Sequence, residues 1–335
     1  MIKKNAAGTV LCAAVFLTFL HAPLWPEEAA GKPDSAISDS TTVNLTISSL
    51  PEAALGITEK LSIPFLRGDS PLTEGNNLSA SFTAEFTPVS INGYAEFVWT
   101  PLAFLQFVSG GRAGSGWNIE LFGSDVRGIG LNRRRADGTA WTDAEAFGGL
   151  TWMVKAGAVF QFDAASLFPG DWNHVVLRLY QELNFSSFSS AKAGESWYYA
   201  NDFGENRNGQ NYYASYLFGY QMPRKPLFLD MTALMAEQYR FLCHVPGGDA
   251  WGDDLDRWVF SALFNFSFTG WFSTALITQV RTMRNFSSNT ADLEFYQDRR
   301  MADGNPLRLE FYRVAAIFSF KLRQPADGAL RKLSE

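Results

Sequence analysis

A chain of 335 residues that is 47% hydrophobic, 15% aromatic and 19% charged is too apolar for a disordered polypeptide and too evenly mixed for a bundle of membrane helices. The net charge of −6 offers no electrostatic footprint for nucleic acid, and the one basic run, "NRRR" at 132–135, reads as a solvated loop. The length permits one large domain or two ordinary ones and does not choose between them.

At the N-terminus, Lys3 and Lys4 precede the short apolar run "TVLCAAVFLTFL" (9–20), the pattern of an export signal expected to occupy 1–30. The run is too short to cross a bilayer as a helix, which takes about 20 residues. Removal of such a signal leaves Cys243 alone, so no intramolecular disulfide is expected. Residues 31–53, "GKPDSAISDSTTVNLTISSLPEA", are expected to form a polar periplasmic leader; "TVNLTIS" within it is readable as an extra strand.

From 54 onward, alternating segments predict strands at 54–66, 77–88, 94–111 (bending at Pro101), 148–162 and 173–185. Five more are expected at 211–221, 227–241, 257–268, 272–283 and 307–322, about ten in all, with eight or twelve as neighbouring counts. The links at 88–92, 163–171, 222–226 and 269–271 are short. Those at 67–76, 113–147, 186–210, 242–256 and 284–306 are longer and polar. Short turns alternating with long loops describe an all-β antiparallel transmembrane β-barrel spanning 54–323, with a polar periplasmic tail at 324–335.

Side-chain parity sets the direction each face takes. Glu85, Lys155, Arg178, Glu182, Gln279, Arg281 and Arg313 lie opposite their strands' aliphatic and aromatic stripes and are expected in the lumen. Facing lipid, a Lys or Arg at the midplane would cost roughly 2–4 kcal/mol. In a dry soluble core each charge would need a partner. The lipid face is expected to carry Phe82, Phe86, Leu177, Leu179, Trp258, Phe260, Phe264, Phe266, Phe318 and Phe320. Glu59 and Glu237 break the pattern and are assigned to strand ends. Trp99, Trp152, Tyr212, Tyr213, Tyr239, Trp258, Trp271 and Tyr312 are read as a girdle at headgroup level.

The segment "YRVAAIFSFKL" resembles the aromatic closing strand of bacterial outer-membrane β-barrel proteins. "FLQFVSGGRAGSGWNIELFG", taken with the hairpins, resembles uncharacterised spirochaete barrel proteins. The family usually ends on an aromatic residue, whereas here "RQPADGALRKLSE" comes after the strand. The resemblance implies outer-membrane localisation, insertion by the barrel assembly machinery and both termini in the periplasm.

Chemistry-bearing clusters are sparse. "CHVPGGDAWGDDLDR" (243–257) groups His244 with Asp249, Asp253, Asp254 and Asp256, but it lacks the paired spacings of omptin-type proteases and reads as an acidic surface loop. Oxygen-rich loops at 201–211 and 253–256 match no complete Ca²⁺ pattern, and no dinucleotide or phosphate-binding glycine loop succeeds a strand. Neither a catalytic residue nor a metal site nor a cofactor is expected. Eight-stranded barrels fill with their own side chains while barrels of about 16–18 strands leave a channel. The expected function is therefore a narrow, porin-like channel or transporter for small solutes. The alternatives are a non-conducting structural or surface-binding barrel whose long loops contact ligands, and a secreted soluble β-sandwich.

Overall fold

The computed structural model describes residues 37–50, 52–121, 124–131, 146–192, 194–200, 206–223, 228–243, 247–291 and 298–323. The expected signal peptide, the run at 132–135, His244 and the polar tail lie outside them. Among the described residues, period-two alternation produces twelve long strands. The first six are β1 (Ser38–Ser48), β2 (Ala53–Pro64), β3 (Asn77–Thr87), β4 (Ser90–Leu102), β5 (Leu105–Gly116) and β6 (Thr151–Asp163). The second six are β7 (Val175–Phe188), β8 (Gly209–Gln221), β9 (Leu229–Phe241), β10 (Arg257–Ser267), β11 (Phe272–Arg284) and β12 (Leu307–Arg323). Each pairs antiparallel with the next, and β12 returns to β1 through pairs such as Leu45↔Phe318 and Ile47↔Ala316, closing the barrel.

Two corrections bring the count from ten to twelve. The segment 31–53 is not a leader throughout, because residues 38–48 supply β1, so the barrel spans 38–323. Serines and threonines on both faces of its first half hid the alternation. The long strand at 94–111 does not bend at Pro101 but reverses at Ala103 and Phe104, where Leu102 pairs with Leu105. That turn is apolar and carries none of the Gly, Asn or Asp that normally mark a hairpin. Across the new pair, Trp99 meets Phe107 with ring centroids 5.6 Å apart.

Each correction adds one strand, so the number stays even and both ends of the barrel chain emerge at the same end. The connections sort accordingly. The links at 65–76, 103–104, 164–174, 222–228 and 268–271 share the end with the termini. Those at 49–52, 88–89, 117–150, 189–208, 242–256 and 285–306 lie at the other. Segment 65–76, expected among the long loops, is therefore at the terminal end, and the first two hairpins at the loop end are tight.

At the loop end, Ser196–Tyr199 forms a small sheet with Ile129–Leu131 and Asn206–Arg207, and Ile119–Leu121 pairs with Ser124–Val126. Ile129, Phe188, Trp197 and Tyr199 form one buried cluster there, and Val89, Val126 and Ala200 form another. The described parts of these two loops, Ile129–Leu131 and Ser196–Ala200 among them, thus pack against the barrel mouth.

Candidate functional site: the barrel lumen

The exterior of the barrel is apolar. Phe82 is 59% exposed and Leu234 64%, and Phe86, Leu177, Leu179, Phe260 and Phe264 also stand outward. Trp258, Phe266, Phe318 and Phe320 lie on the same surface, partly covered by neighbours. Trp258 stacks on Phe260, for example, and Phe320 on Phe272 and Trp271. Glu59 is the exception: it points outward from mid-β2, where Thr41 donates to it at 2.6 Å. Its assignment to a strand end does not hold.

Inside, Glu85, Arg178, Glu182, Gln279, Arg281 and Arg313 are all buried, and the Lys155 side chain is 6% exposed. An apolar exterior around charged residues inverts the arrangement of a soluble protein, in which bare charge stays outside. The fold is that of an outer-membrane-type β-barrel.

Comparison with known proteins adds little to this. No family model and no curated protein matches the sequence. Among solved structures, OmpT of Vibrio cholerae, expressed in the outer membrane, is 6% identical with a TM-score of 0.34 over 87% of this chain and 98% of that one. OccK10 (OpdN) of Pseudomonas aeruginosa is 12% identical with a TM-score of 0.23, over 87% and 99% respectively. Likenesses this distant carry no argument, and the functional reading rests on the barrel itself.

The interior groups form a belt of paired side chains. On β3 and β4, Asn92 and Tyr94 both donate to Glu85, at 3.1 and 2.9 Å. Lys155 on β6 reaches Glu96 on β4 at 2.5 Å and lies 3.8 Å from Glu182 on β7. To span two strands it passes over Gly110, where a Cβ would sit 3.4 Å from its Cε. Tyr180 and Asn184 donate to Glu182 at 2.5 and 2.9 Å, and Arg178 lies over the Tyr180 ring. On β8 and β9, Tyr213 donates to Glu237 at 2.6 Å. On the remaining strands Arg313 donates to Gln279 at 2.6 Å and to Glu52 at 2.7 Å, while Gln279 donates to Ser261 at 2.9 Å. Arg281 pairs with Glu310 at 2.9 Å and covers the Tyr312 ring at 4.3 Å.

Several belt members were misassigned or missed in the sequence. Glu237 is not at a strand end but fully buried within β9, where it follows the apolar inward run Met231, Ala233 and Met235. With Leu217, Val259, Leu263, Ile277 and Ile317 these line one wall of the lumen. Tyr213, Tyr239 and Tyr312 do not belong to an outer girdle; they pack in the interior clusters. Tyr312 and Arg313 are consecutive and both buried because the β11–β12 register shifts between Gln279 and Val280. Such a bulge re-aims a side chain. Tyr180 shares the parity of Arg178 and Glu182, so the signal for it was present, whereas Tyr94 and Glu96 lie on a strand where no inward residue was recognised.

The loop end adds a stopper. Tyr199, fully buried, donates its hydroxyl to Asn92, and Arg112 lies over its ring at 5.2 Å. Gly114 permits this approach: a Cβ there would collide with both the Tyr199 hydroxyl and the Asn92 amide oxygen and lie 2.8 Å from the Ile91 carbonyl. Asp253 ties the stopper's loop down through Arg207 at 3.2 Å and is 3.7 Å from Arg284. Gly114→Val is accordingly expected to expel Tyr199 and make segment 189–208 at least several-fold more sensitive to limited proteolysis, with cleavage in that segment as the readout. An unchanged digestion pattern would remove the stopper.

Two aspartates of the 243–257 loop serve such contacts, Asp253 as above and Asp256, which accepts from Gln238 at 2.8 Å and lies 3.7 Å from Arg240. Among the described residues, no group of three or more His, Cys, Asp or Glu is placed to hold a metal ion.

Proposed function

We propose that this protein is an outer-membrane β-barrel whose lumen is held closed by its own side chains. It is a membrane-anchored barrel that does not conduct at rest, rather than an open porin. The observation that carries this reading is the interior belt, in which Lys155, Arg313, Glu85, Glu182 and Glu237 are buried and each engaged with a neighbour. Twelve strands enclose more space than eight, but paired tyrosines, arginines and glutamates occupy it. The apolar exterior supports residence in a lipid bilayer, where closure also satisfies every strand edge. With an even strand count, both ends of the barrel chain face the same compartment, read here as the periplasm. Insertion is assigned to the barrel assembly machinery, acting on the aromatic β12. The long loops at the opposite end are the surface available to ligands, and no enzymatic activity is assigned to them.

Planar-bilayer recording of the refolded protein tests the closed lumen. Insertion without a sustained ohmic current is the expected outcome, and a steady open conductance in the unmodified protein would overturn it. Heat-dependent migration in detergent gels and recovery in the outer-membrane fraction are expected alongside. Recovery in the soluble periplasm would sink the membrane placement.

A further inference from the structure

Turns that stand in water are built mostly from Gly, Pro, Asn, Asp and Ser, and large apolar side chains are kept inside. The described turns at the terminal end depart from this. Leu167, Phe168 and Trp172 in the 164–174 link are exposed, Phe168 by 68%, and so are Phe228 and Trp271 in the two links that come after it at this end. These side chains continue the outer wall of the barrel. Phe228 packs on Phe268 and Phe268 on Phe272, with ring centroids 5.7 and 5.4 Å apart, while Trp271 meets Phe320 at 6.3 Å. At the 103–104 turn, Phe104 meets Phe160 of β6 at 5.8 Å. The 164–174 link is drawn to the same side. Tyr220, on the outward parity of β8, donates to the Trp172 carbonyl at 2.9 Å, and Asn173 donates to the Phe168 carbonyl at 2.9 Å.

The height of that wall points the same way. On β10 the outward stripe runs from Trp258 to Phe268. Its edge toward the loop end is polar: Gln238 stands opposite Trp258, with Arg240 and Asp256 beyond. Ten residue steps of about 3.3 Å, on a strand tilted by about 40°, rise about 25 Å, the height of the apolar band of an outer-membrane-type barrel. A band that starts at Trp258 therefore ends at Phe268, and the turn after it falls at headgroup level. We propose that the terminal rim is a lipid-binding surface. The 164–174 and 268–271 turns lie in the headgroup layer of the leaflet at that end, where Phe168, Trp172 and Trp271 pack against phospholipid rather than stand in water. Aromatic rings suit this layer, which is apolar on one side and wet on the other. The terminal mouth then opens at the membrane surface, and its rim is covered by lipid instead of a soluble partner. The proposal rests on the membrane placement and goes beyond it, since a barrel can cross a bilayer with its turns in water.

The test attaches a bimane label at Phe168→Cys in protein refolded into phosphatidylcholine vesicles. The background is Cys243→Ser without the expected signal segment, so that no other cysteine is present. Phe264→Cys, exposed near the middle of the β10 stripe, is the control for the bilayer itself, and Trp271→Cys repeats the measurement at a second turn. The quenchers are a nitroxide high on the lipid acyl chain, a nitroxide near the chain's end, and aqueous iodide. The Phe168 and Trp271 labels are expected to lose roughly half or more of their emission to the high nitroxide and less to the deep one. Both should be shielded from iodide relative to the urea-unfolded chain, and the Phe264 label should respond most to the deep nitroxide. Turn labels indifferent to both lipid nitroxides and open to iodide would overturn the proposal. If the Phe264 label is quenched by lipid in that same protein, the membrane placement stands and the rim alone is lost. A folded protein whose Phe264 label no lipid nitroxide reaches defeats both.

Discussion

Leu179→Arg is expected to destabilise the barrel by about 2–4 kcal/mol, although the neighbouring position, Arg178, already carries an arginine. The difference is one of direction. Leu179 is 40% exposed on the apolar exterior, while Arg178 is 7% exposed and lies over the Tyr180 ring inside. Unfolding in urea from lipid vesicles measures the effect, with Leu179→Phe as a control that should stay within about 1 kcal/mol of the parent, as volume-tolerant apolar exchanges do. Equal stability of Leu179→Arg and Leu179→Phe in vesicles would mean that this surface does not meet lipid. The same pair compared in detergent should differ less, because micelles deform around a charge more readily than a bilayer.

Lys155→Met is expected to cost about 3–5 kcal/mol, the penalty for removing one partner from a buried ionic cluster. Its ammonium stands between Glu96 at 2.5 Å and Glu182 at 3.8 Å, both on the interior face. Without it, two carboxylates share a site that water reaches poorly, with no cation between them. Adding Glu96→Gln to Lys155→Met should therefore recover part of the loss, and the double-mutant cycle should return a coupling of more than about 1 kcal/mol. Additive single effects would mean that the pair contributes nothing to the closure of the lumen. Methionine keeps the length of the side chain over Gly110, so a cavity effect is not confused with the charge effect.

Much of the barrel was legible because a strand with one wet and one greasy face writes its direction into alternate residues. β3 is the clearest case. Phe82 and Phe86 stand outward, and Glu85 turns in to meet Asn92 and Tyr94. The same logic failed wherever the interior was itself apolar. β9 carries Met231, Ala233 and Met235 inward, so Glu237 looked like the intruder when it was on the proper face. A register shift defeats alternation too, and the one beside Gln279 turned Tyr312 from an expected girdle residue into a lumen residue. The reversal at 103–104 escaped notice because it is built from Ala and Phe, with no residue whose backbone preference announces a turn. Tyr199 could not have been placed at all from local pattern. Its partner Asn92 is 107 positions away, and the contact depends on an absent side chain at Gly114.

The apolar wall formed by Leu217, Met231, Met235, Leu263, Ile277 and Ile317 bears on ions as well as on stability. A hydrated ion moving along it would meet surface that returns none of the hydrogen bonds its water shell gives up. The groups nearest to an ion on this side of the lumen are the belt residues Glu237, Gln279 and Arg313, and each is already bonded to a neighbour. An ion passing here would have to break one of those bonds to replace its lost water.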